Sequence, residues 1–148
     1  MLASVIGGQR VLLLSDLGRR GQDALLERMP GLRADIVVTG LPVQLEALAN
    51  GLLDSIQPRL IIVADSEFPA AERAKPKLQE RLGRRGVPVI YTRKSGAATI
   101  EWRGHDWEFR TMSGMRISSR TPLPLPKPTP EQPDEADPAT SDEERSPE

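Results

Sequence analysis

The stretch Leu60-Ile61-Ile62-Val63-Ala64 decides the fold, because all of its residues are apolar and the central three are β-branched. A continuous apolar run of this length is typical of a strand that is covered on both faces. An amphipathic segment at residues 42–56 precedes the run, and a charged segment at residues 70–82 follows it. Because both flanking segments are suited to helices, the pattern predicts an α/β fold built on a mixed sheet.

Strands and helices are expected to alternate over the rest of the folded region. In chain order the predicted elements are strands at 2–6 and 10–14, a helix at 21–29, a strand at 35–38, the helix at 42–56, the strand at 60–64, the helix at 70–82, and strands at 87–92, 97–102 and 107–112. Gly7 and Gly8 join the first two strands into a hairpin, because glycine readily adopts the positive φ angles of a tight turn. The last two strands are predicted to form an antiparallel meander.

The chain divides into a folded domain, residues 1–113, and a tail, residues 114–148. Eight of the 14 prolines lie in residues 121–148, together with eight acidic and two basic residues. The tail therefore carries a charge of about −6, and the formal total of −1 leaves about +5 for residues 1–120. A segment so rich in proline and acid buries too little apolar surface to offset the entropy of ordering it, so we expect a disordered tail.

The composition excludes several classes of protein. The sequence contains no cysteine, which excludes disulfide frameworks, cysteine nucleophiles and cysteine metal cages. Its longest apolar runs are far shorter than the roughly 20 residues that span a bilayer, so we expect no membrane span. No secretory signal pattern is visible, which favours a cytoplasmic location, with any membrane association made through a partner.

Motifs of the common enzyme classes are missing from the sequence. It contains neither the glycine-rich dinucleotide motif nor the P-loop motif. Ser15-Asp16 and Ser66-Glu67 place hydroxyls beside carboxylates, but a serine nucleophile also needs a general base. The single histidine, His105, lies in a predicted turn between two strands and is interpreted as an exposed loop residue. No catalytic triad is therefore predicted.

Six short segments follow one another along the folded region. They are GGQRVLLLSD (7–16), LRADIVVTG (32–40), LDSIQPRLII (53–62), DSEFP (65–69), GVPVIYT (86–92) and SGAATI (95–100). In this order and spacing they resemble the C-terminal half of a metallo-β-lactamase-fold domain. The resemblance covers residues 2–112 and is closest to the domain attached to DNA-uptake (competence) proteins of the ComEC/Rec2 type.

This resemblance implies half of a four-layer αββα sandwich, with a hydrolytic site of two divalent metals, zinc or manganese, where the halves meet. It places Asp16 at the position of the metal-bridging aspartate. The family's H-x-H-x-D-H motif belongs to the N-terminal half, which this sequence does not contain. Where the family has a further histidine, the sequence reads Gly40-Leu41-Pro42. Asp16 is thus the one ligand position retained, and we expect this chain alone to hold no metal cofactor.

Asp16 also has a structural interpretation, as the cap of a helix or turn at residues 18–22. We therefore predict a degenerate, non-catalytic metallo-β-lactamase-like domain that acts by protein interaction or self-association. An alternative is one part of a metal-dependent hydrolase or nuclease whose histidine ligands come from another chain, with Asp16 donated in trans.

Clustered arginines support a second alternative, a nonspecific nucleic-acid-binding module. The candidate contacts are Arg19, Arg20, Arg84 and Arg85, whose charges suit phosphates without reading bases. Acidic residues such as Glu80 interleave with the basic ones, which is equally typical of a solvated helix face.

The second apolar face of the strand at residues 60–64 needs a cover. In a half-sandwich the missing half leaves that face open, so we expect a protein partner or a second copy of the chain on it. DNA is a further candidate partner.

Overall fold

A computed structural model describes residues 1–42, 46–70, 73–118 and 120. The strands are β1 (Leu2–Ile6), β2 (Gln9–Ser15), β3 (Ile36–Thr39), β4 (Leu60–Val63), β5 (Val89–Tyr91), β6 (Ala98–Arg103), β7 (Asp106–Thr111) and β8 (Arg116–Ser118). The helices are α1 (Arg19–Arg28), α2 (Asn50–Ile56), α3 (Pro76–Gly83) and the single turn α4 (Thr92–Ser95). The predicted α/β fold with a mixed sheet is confirmed.

The first sheet contains five strands in the order β1-β2-β3-β4-β5. β1 and β2 form the predicted antiparallel hairpin, with positive φ angles at Gly7 and Gly8, whereas β2 to β5 are parallel. Helices α1, α2 and α3 connect consecutive parallel strands, as the crossover between parallel strands requires. Since each helix joins neighbouring strands, α2 lies between α1 and α3.

One face of this sheet packs against the helices. Alternate residues of β2, β3 and β4 point to this side because the side-chain period of a strand is two residues. The resulting core contains Leu12, Leu14, Val37, Ile61 and Val63 from the strands and Leu25, Leu52, Leu53, Ile56 and Leu82 from the helices.

The opposite face is covered by a second sheet from the same chain. Strands β6, β7 and β8 form an antiparallel meander, the second sheet, in the order β6-β7-β8. Its Trp107 and Phe109 pack on Val11, Ile36, Leu60, Ile62 and Ile90 of the first sheet. The layers are therefore helices, five-stranded sheet and three-stranded sheet. The expectation that a protein partner or a second copy of the chain covers the second face of the strand at residues 60–64 is wrong, because the meander already buries this face.

Two predicted helices are shorter than expected. The helix predicted at residues 42–56 begins at Asn50, because Leu48 has a φ of +53° and cannot belong to a right-handed helix. Residues 43–45 of that prediction lie outside the described part of the chain. The helix predicted at residues 70–82 begins at Pro76, the first helical position, where the missing N–H of proline costs no hydrogen bond.

The second sheet extends beyond the predicted boundary of the domain. β8 at Arg116–Ser118 pairs with β7 through Ile117 opposite Phe109. The tail was predicted to begin at residue 114, before this strand. Most of the predicted tail, including residues 121–148, lies outside the described residues.

Asp35, which directly precedes β3, bonds to Arg10 near the amino end of β2. Its carboxylate accepts the Arg10 backbone N–H at 2.8 Å and both Nε and Nη2 of the Arg10 guanidinium at 3.0 Å. Burial alone would raise the pKa of Asp35, but the hydrogen bonds and charge of Arg10 outweigh burial and lower it. A lowered pKa in the folded state means that the ionised carboxylate stabilises the fold.

We expect Asp35→Asn to lower the free energy of unfolding at pH 7 by about 1 kcal/mol, since Arg10 is half exposed and its ion pair is partly screened. The Asp35 contribution is complete above the pKa of an unfolded aspartate, about 3.9, and is lost as pH falls through the lower folded value. Urea unfolding of both proteins between pH 7 and pH 2 measures the difference. A difference that stays constant over this range would contradict the account.

Candidate functional site

Asp16 lies at the carboxyl end of β2, where the resemblance implies a metal ligand. The strand ends at Ser15, whose φ is +55°, and Asp16 is exposed to solvent. The Asp16 Oδ1 accepts a hydrogen bond from the Ser15 hydroxyl at 3.1 Å. The N-cap of α1 is Gly18, and none of the side chains that the structure describes caps this helix, so the predicted capping role of Asp16 is wrong.

The residues around Asp16 do not supply a two-metal ligand set. At the end of β3 the Gly40 N–H donates to the Ser15 carbonyl at 2.7 Å, which holds the two strand ends together. Leu41 and Pro42 follow, and neither has a side chain that binds metal. Among the residues that the structure describes, no three His, Cys, Asp or Glu side chains form a metal-binding group. The donors present therefore do not fit the two metals that the resemblance implies.

Asp65 marks the carboxyl end of β4, two strands away from Asp16. Its side chain is fully buried, and Oδ1 accepts the Arg93 backbone N–H at 2.9 Å. The Arg93 Nε lies 3.4 Å from Oδ2 and balances the charge. The Thr92 hydroxyl donates to the Asp65 carbonyl at 2.8 Å and accepts the Asp65 N–H at 3.0 Å. Asp65 thus ties β4 to the turn after β5.

Glu67 continues the same ion-pair cluster toward solvent. Its carboxylate lies 3.3 Å from Arg93 Nη1 and 3.1 Å from Arg73 Nη2. Burial raises the pKa of the neighbouring Tyr91 hydroxyl, and the negative charge of Asp65 raises it further. Two interpretations of Asp65 and Glu67 follow equally well from the sequence: paired carboxylates that point to the same side of a strand end, or solvated loop acids. The second interpretation is wrong for Asp65, because its carboxylate is buried in an ion pair with Arg93.

The two candidate arginine pairs for nucleic-acid binding do not form one patch. Arg19 and Arg20 begin α1, and Arg84 and Arg85 follow α3, so α2 lies between the pairs. Arg19 Nη1 is 3.3 Å from Oε2 of Glu46. Arg20 is exposed. An acidic side chain therefore already contacts one arginine of the first pair.

The second pair consists of one exposed and one buried arginine. Arg84 lies on the surface and pairs with Glu80 at 2.6 Å, one helical turn earlier. The Arg85 side chain is only 4% exposed, and its Nη1 donates to the Asp54 carboxylate at 2.8 Å. Burial lowers the pKa of Arg85, and the Asp54 carboxylate opposes this change. The prediction that Arg85 contacts DNA is wrong, because its guanidinium is buried in the helix layer and pairs there with Asp54.

The edge of the first sheet at β1 is not covered by any of the residues that the structure describes. β1 is the edge strand, and all of its residues are exposed. Along one row of the sheet, exposure falls from Leu2 (60%) and Leu13 (38%), through partly buried Val38, to Ile62 (5%) and Ile90 (2%). The second sheet therefore covers the far end of this row and leaves an apolar corner at β1.

Two features were not predicted from the sequence: the open edge at β1, and the ion-pair cluster that contains Asp65, Glu67, Arg73 and Arg93. The signal for Asp65 was its position directly after a buried strand, where parallel strand ends converge. The signal for the edge was the uncharged, apolar sequence of β1, which the hairpin prediction already contained. Trp102 and Trp107 lie opposite one another in the second sheet, where Trp107 is buried and Trp102 packs against the same apolar cluster.

No family model, curated protein or solved structure matches the chain. Among the described residues, no helix has the length and apolar character needed to cross a membrane.

Proposed function

We propose that this chain is a non-catalytic metallo-β-lactamase-like domain, related to the C-terminal half of the domain in ComEC/Rec2-type DNA-uptake proteins, and that it acts by protein interaction. The open edge at β1 is the interaction surface. The cytoplasmic location of the chain stays a prediction.

The proposal rests on the surroundings of the carboxylates at the carboxyl ends of β2 and β4. Catalytic carboxylates need to reach a metal or substrate, whereas the Asp65 carboxylate is buried against Arg93 and Glu67 is shared by Arg93 and Arg73. Asp16 is exposed, with Leu41 and Pro42 where the family supplies a ligand. At these strand ends Asp65 and Glu67 therefore stabilise loops. The described residues provide no ligand set with which two metals would activate water.

The alternative in which Asp16 serves another chain's metal site is favoured by one observation. Asp16 is exposed at the end of its strand, so a partner would reach it without local unfolding. The nucleic-acid alternative has weaker support, because Arg85 is buried and Arg84 is paired with Glu80.

A phosphodiester hydrolysis assay distinguishes the proposed non-catalytic role from a catalytic one. We expect the chain with added Mn²⁺ or Zn²⁺ to hydrolyse bis(p-nitrophenyl) phosphate no faster than Asp16→Ala under the same conditions. Asp23→Ala is a control, since Asp23 is also an exposed aspartate but lies on α1. Turnover that is lost in Asp16→Ala and kept in Asp23→Ala would overturn the proposal.

A further inference from the structure

Within the part of the chain that the structure describes, backbone N–H and C=O groups on the outer side of β1 have no hydrogen-bond partner. Both backbone polar groups of Arg10 face Asp35, since its N–H donates to Asp35 Oδ2 and its carbonyl accepts the Asp35 N–H, each at 2.8 Å. Val5 lies opposite Arg10 and therefore forms a non-hydrogen-bonded pair with it. Since strand residues alternate, the N–H and C=O groups of Ala3 and Val5 point away from β2, while those of Ser4 point toward it.

The side chains of β1 carry none of the features that usually prevent edge pairing. Natural edge strands are protected by charged residues, proline, bulges or a covering segment. β1 reads Leu-Ala-Ser-Val-Ile, contains no charge or proline, and pairs with β2 in unbroken register. Leu2 and Val5 are 60% and 69% exposed. An edge of this kind is suited to a strand of another chain.

We infer that β1 pairs antiparallel with β1 of a second copy of this chain, to form a continuous ten-stranded sheet. The inference deepens the proposed function, on which it rests, by naming the partner. With the two-fold axis at Ser4, Ala3 of each copy faces Val5 of the other. These two pairs exchange four backbone hydrogen bonds, so the outward groups of both residues are satisfied.

The side chains favour a second copy as the occupant of this edge. In the same register Leu2 lies opposite Ile6 of the partner strand, on the face where Leu13 is also exposed. The two-fold axis thus joins the two apolar corners into one surface. Because β1 is uncharged, pairing brings no like charges together on this strand. The edge offers no charged group that would select a charged peptide instead.

Light scattering of the full 148-residue chain tests the pairing through Ala3→Pro and Ala3→Ser. Proline removes the outward N–H of Ala3 and leaves the bonds to β2, whereas serine keeps the N–H. We expect the unmodified chain and Ala3→Ser to have twice the 16.3 kDa chain mass. Ala3→Pro should have the mass of one chain. A monomeric unmodified chain, or an Ala3→Pro variant that stays dimeric, would overturn the inference.

Hydrogen exchange tests the same contact without any substitution. The amides of Ala3 and Val5 should exchange at least about tenfold more slowly at high than at low protein concentration, while the Ser4 amide, bonded to β2, changes less. Exchange of Ala3 and Val5 that is independent of concentration would contradict the pairing. A monomeric, metal-free chain would overturn the pairing of β1 strands but not the proposed non-catalytic role. A dimer with hydrolytic activity would support the pairing and overturn the non-catalytic role.

Discussion

Phe109→Ala should lower the free energy of unfolding by about 3–5 kcal/mol, the usual cost of removing a fully buried phenylalanine. Phe109 is 0% exposed and joins the second sheet to Ile36, Leu60 and Ile62 of the first sheet. The truncation leaves a cavity between the two sheets, and the surrounding strands close it only in part. Urea denaturation measures the loss directly.

The fluorescence of the tryptophans reports on the same interface. Both tryptophans, Trp102 and Trp107, lie in the second sheet. We expect red-shifted emission in Phe109→Ala because a loosened sheet admits water to the indole rings. The control is Arg110→Ala, on the outer face of β7, where the lost pair with Glu101 should cost about 1 kcal/mol or less. A Phe109→Ala protein as stable as this control would show that the meander does not form part of the core.

Arg85→Ala should lower the free energy of unfolding by about 2–3 kcal/mol. The aliphatic part of the Arg85 side chain is buried, and its guanidinium bridges the turn after α3 to Asp54 on α2. Removing the side chain loses that packing and leaves Asp54 without this partner. Asp54 is 45% exposed, so water solvates the carboxylate and keeps the loss below that of a fully buried pair. Thermal or urea unfolding of the unmodified chain and Arg85→Ala measures this loss of stability.

The neighbouring arginine provides a matched control. Arg84→Ala removes an exposed side chain whose ion pair with Glu80 is worth about 0.5 kcal/mol. A structural role for Arg85 therefore predicts a large difference in stability between two adjacent substitutions. A nucleic-acid contact predicts the reverse: both variants would stay stable, and both would bind duplex DNA more weakly with a smaller dependence on salt. That outcome would contradict the assignment of Arg85 to the helix layer.

Local sequence patterns predicted the elements whose signals are strongest. The apolar run at β4 and the glycine pair at Gly7 and Gly8 identify a buried strand and a hairpin, because few other conformations suit them. Element ends were harder to predict. Apolar spacing extended the second helix back to residue 42, whereas Leu48 adopts a left-handed conformation. Periodicity does not reveal such a local backbone reversal.

The packing of the second sheet was not predicted, although its signal was present. Ile100, Trp102, Trp107 and Phe109 alternate with polar residues and give the meander a single apolar face. That face matches the second face of β4, for which the sequence pattern had favoured a partner protein or a second copy of the chain as the cover. Packing between distant segments depends on topology, which local patterns leave open.

The candidate site was predicted less well than the fold. Clustering along the sequence grouped Arg84 with Arg85, yet adjacent residues at a helix end point in different directions, and only one of them is exposed. Likewise Asp65 and Glu67 were treated alike, although the burial of Asp65 depends on its ion pair with Arg93, which lies in α4 after β5. Such partners are separated by 28 residues and become neighbours only through the sheet.

Metal content of the purified chain, measured by elemental analysis after equilibration with Zn²⁺ or Mn²⁺ and removal of free ions, tests the central claim most directly. The claim is that Asp65 and Glu67 stabilise the fold and that, together with Asp16, they provide no ligand set for a catalytic metal. It predicts far less than one ion per chain, with no difference between the unmodified chain and Asp16→Ala. One or two tightly held ions per chain, lost in Asp16→Ala, would contradict it.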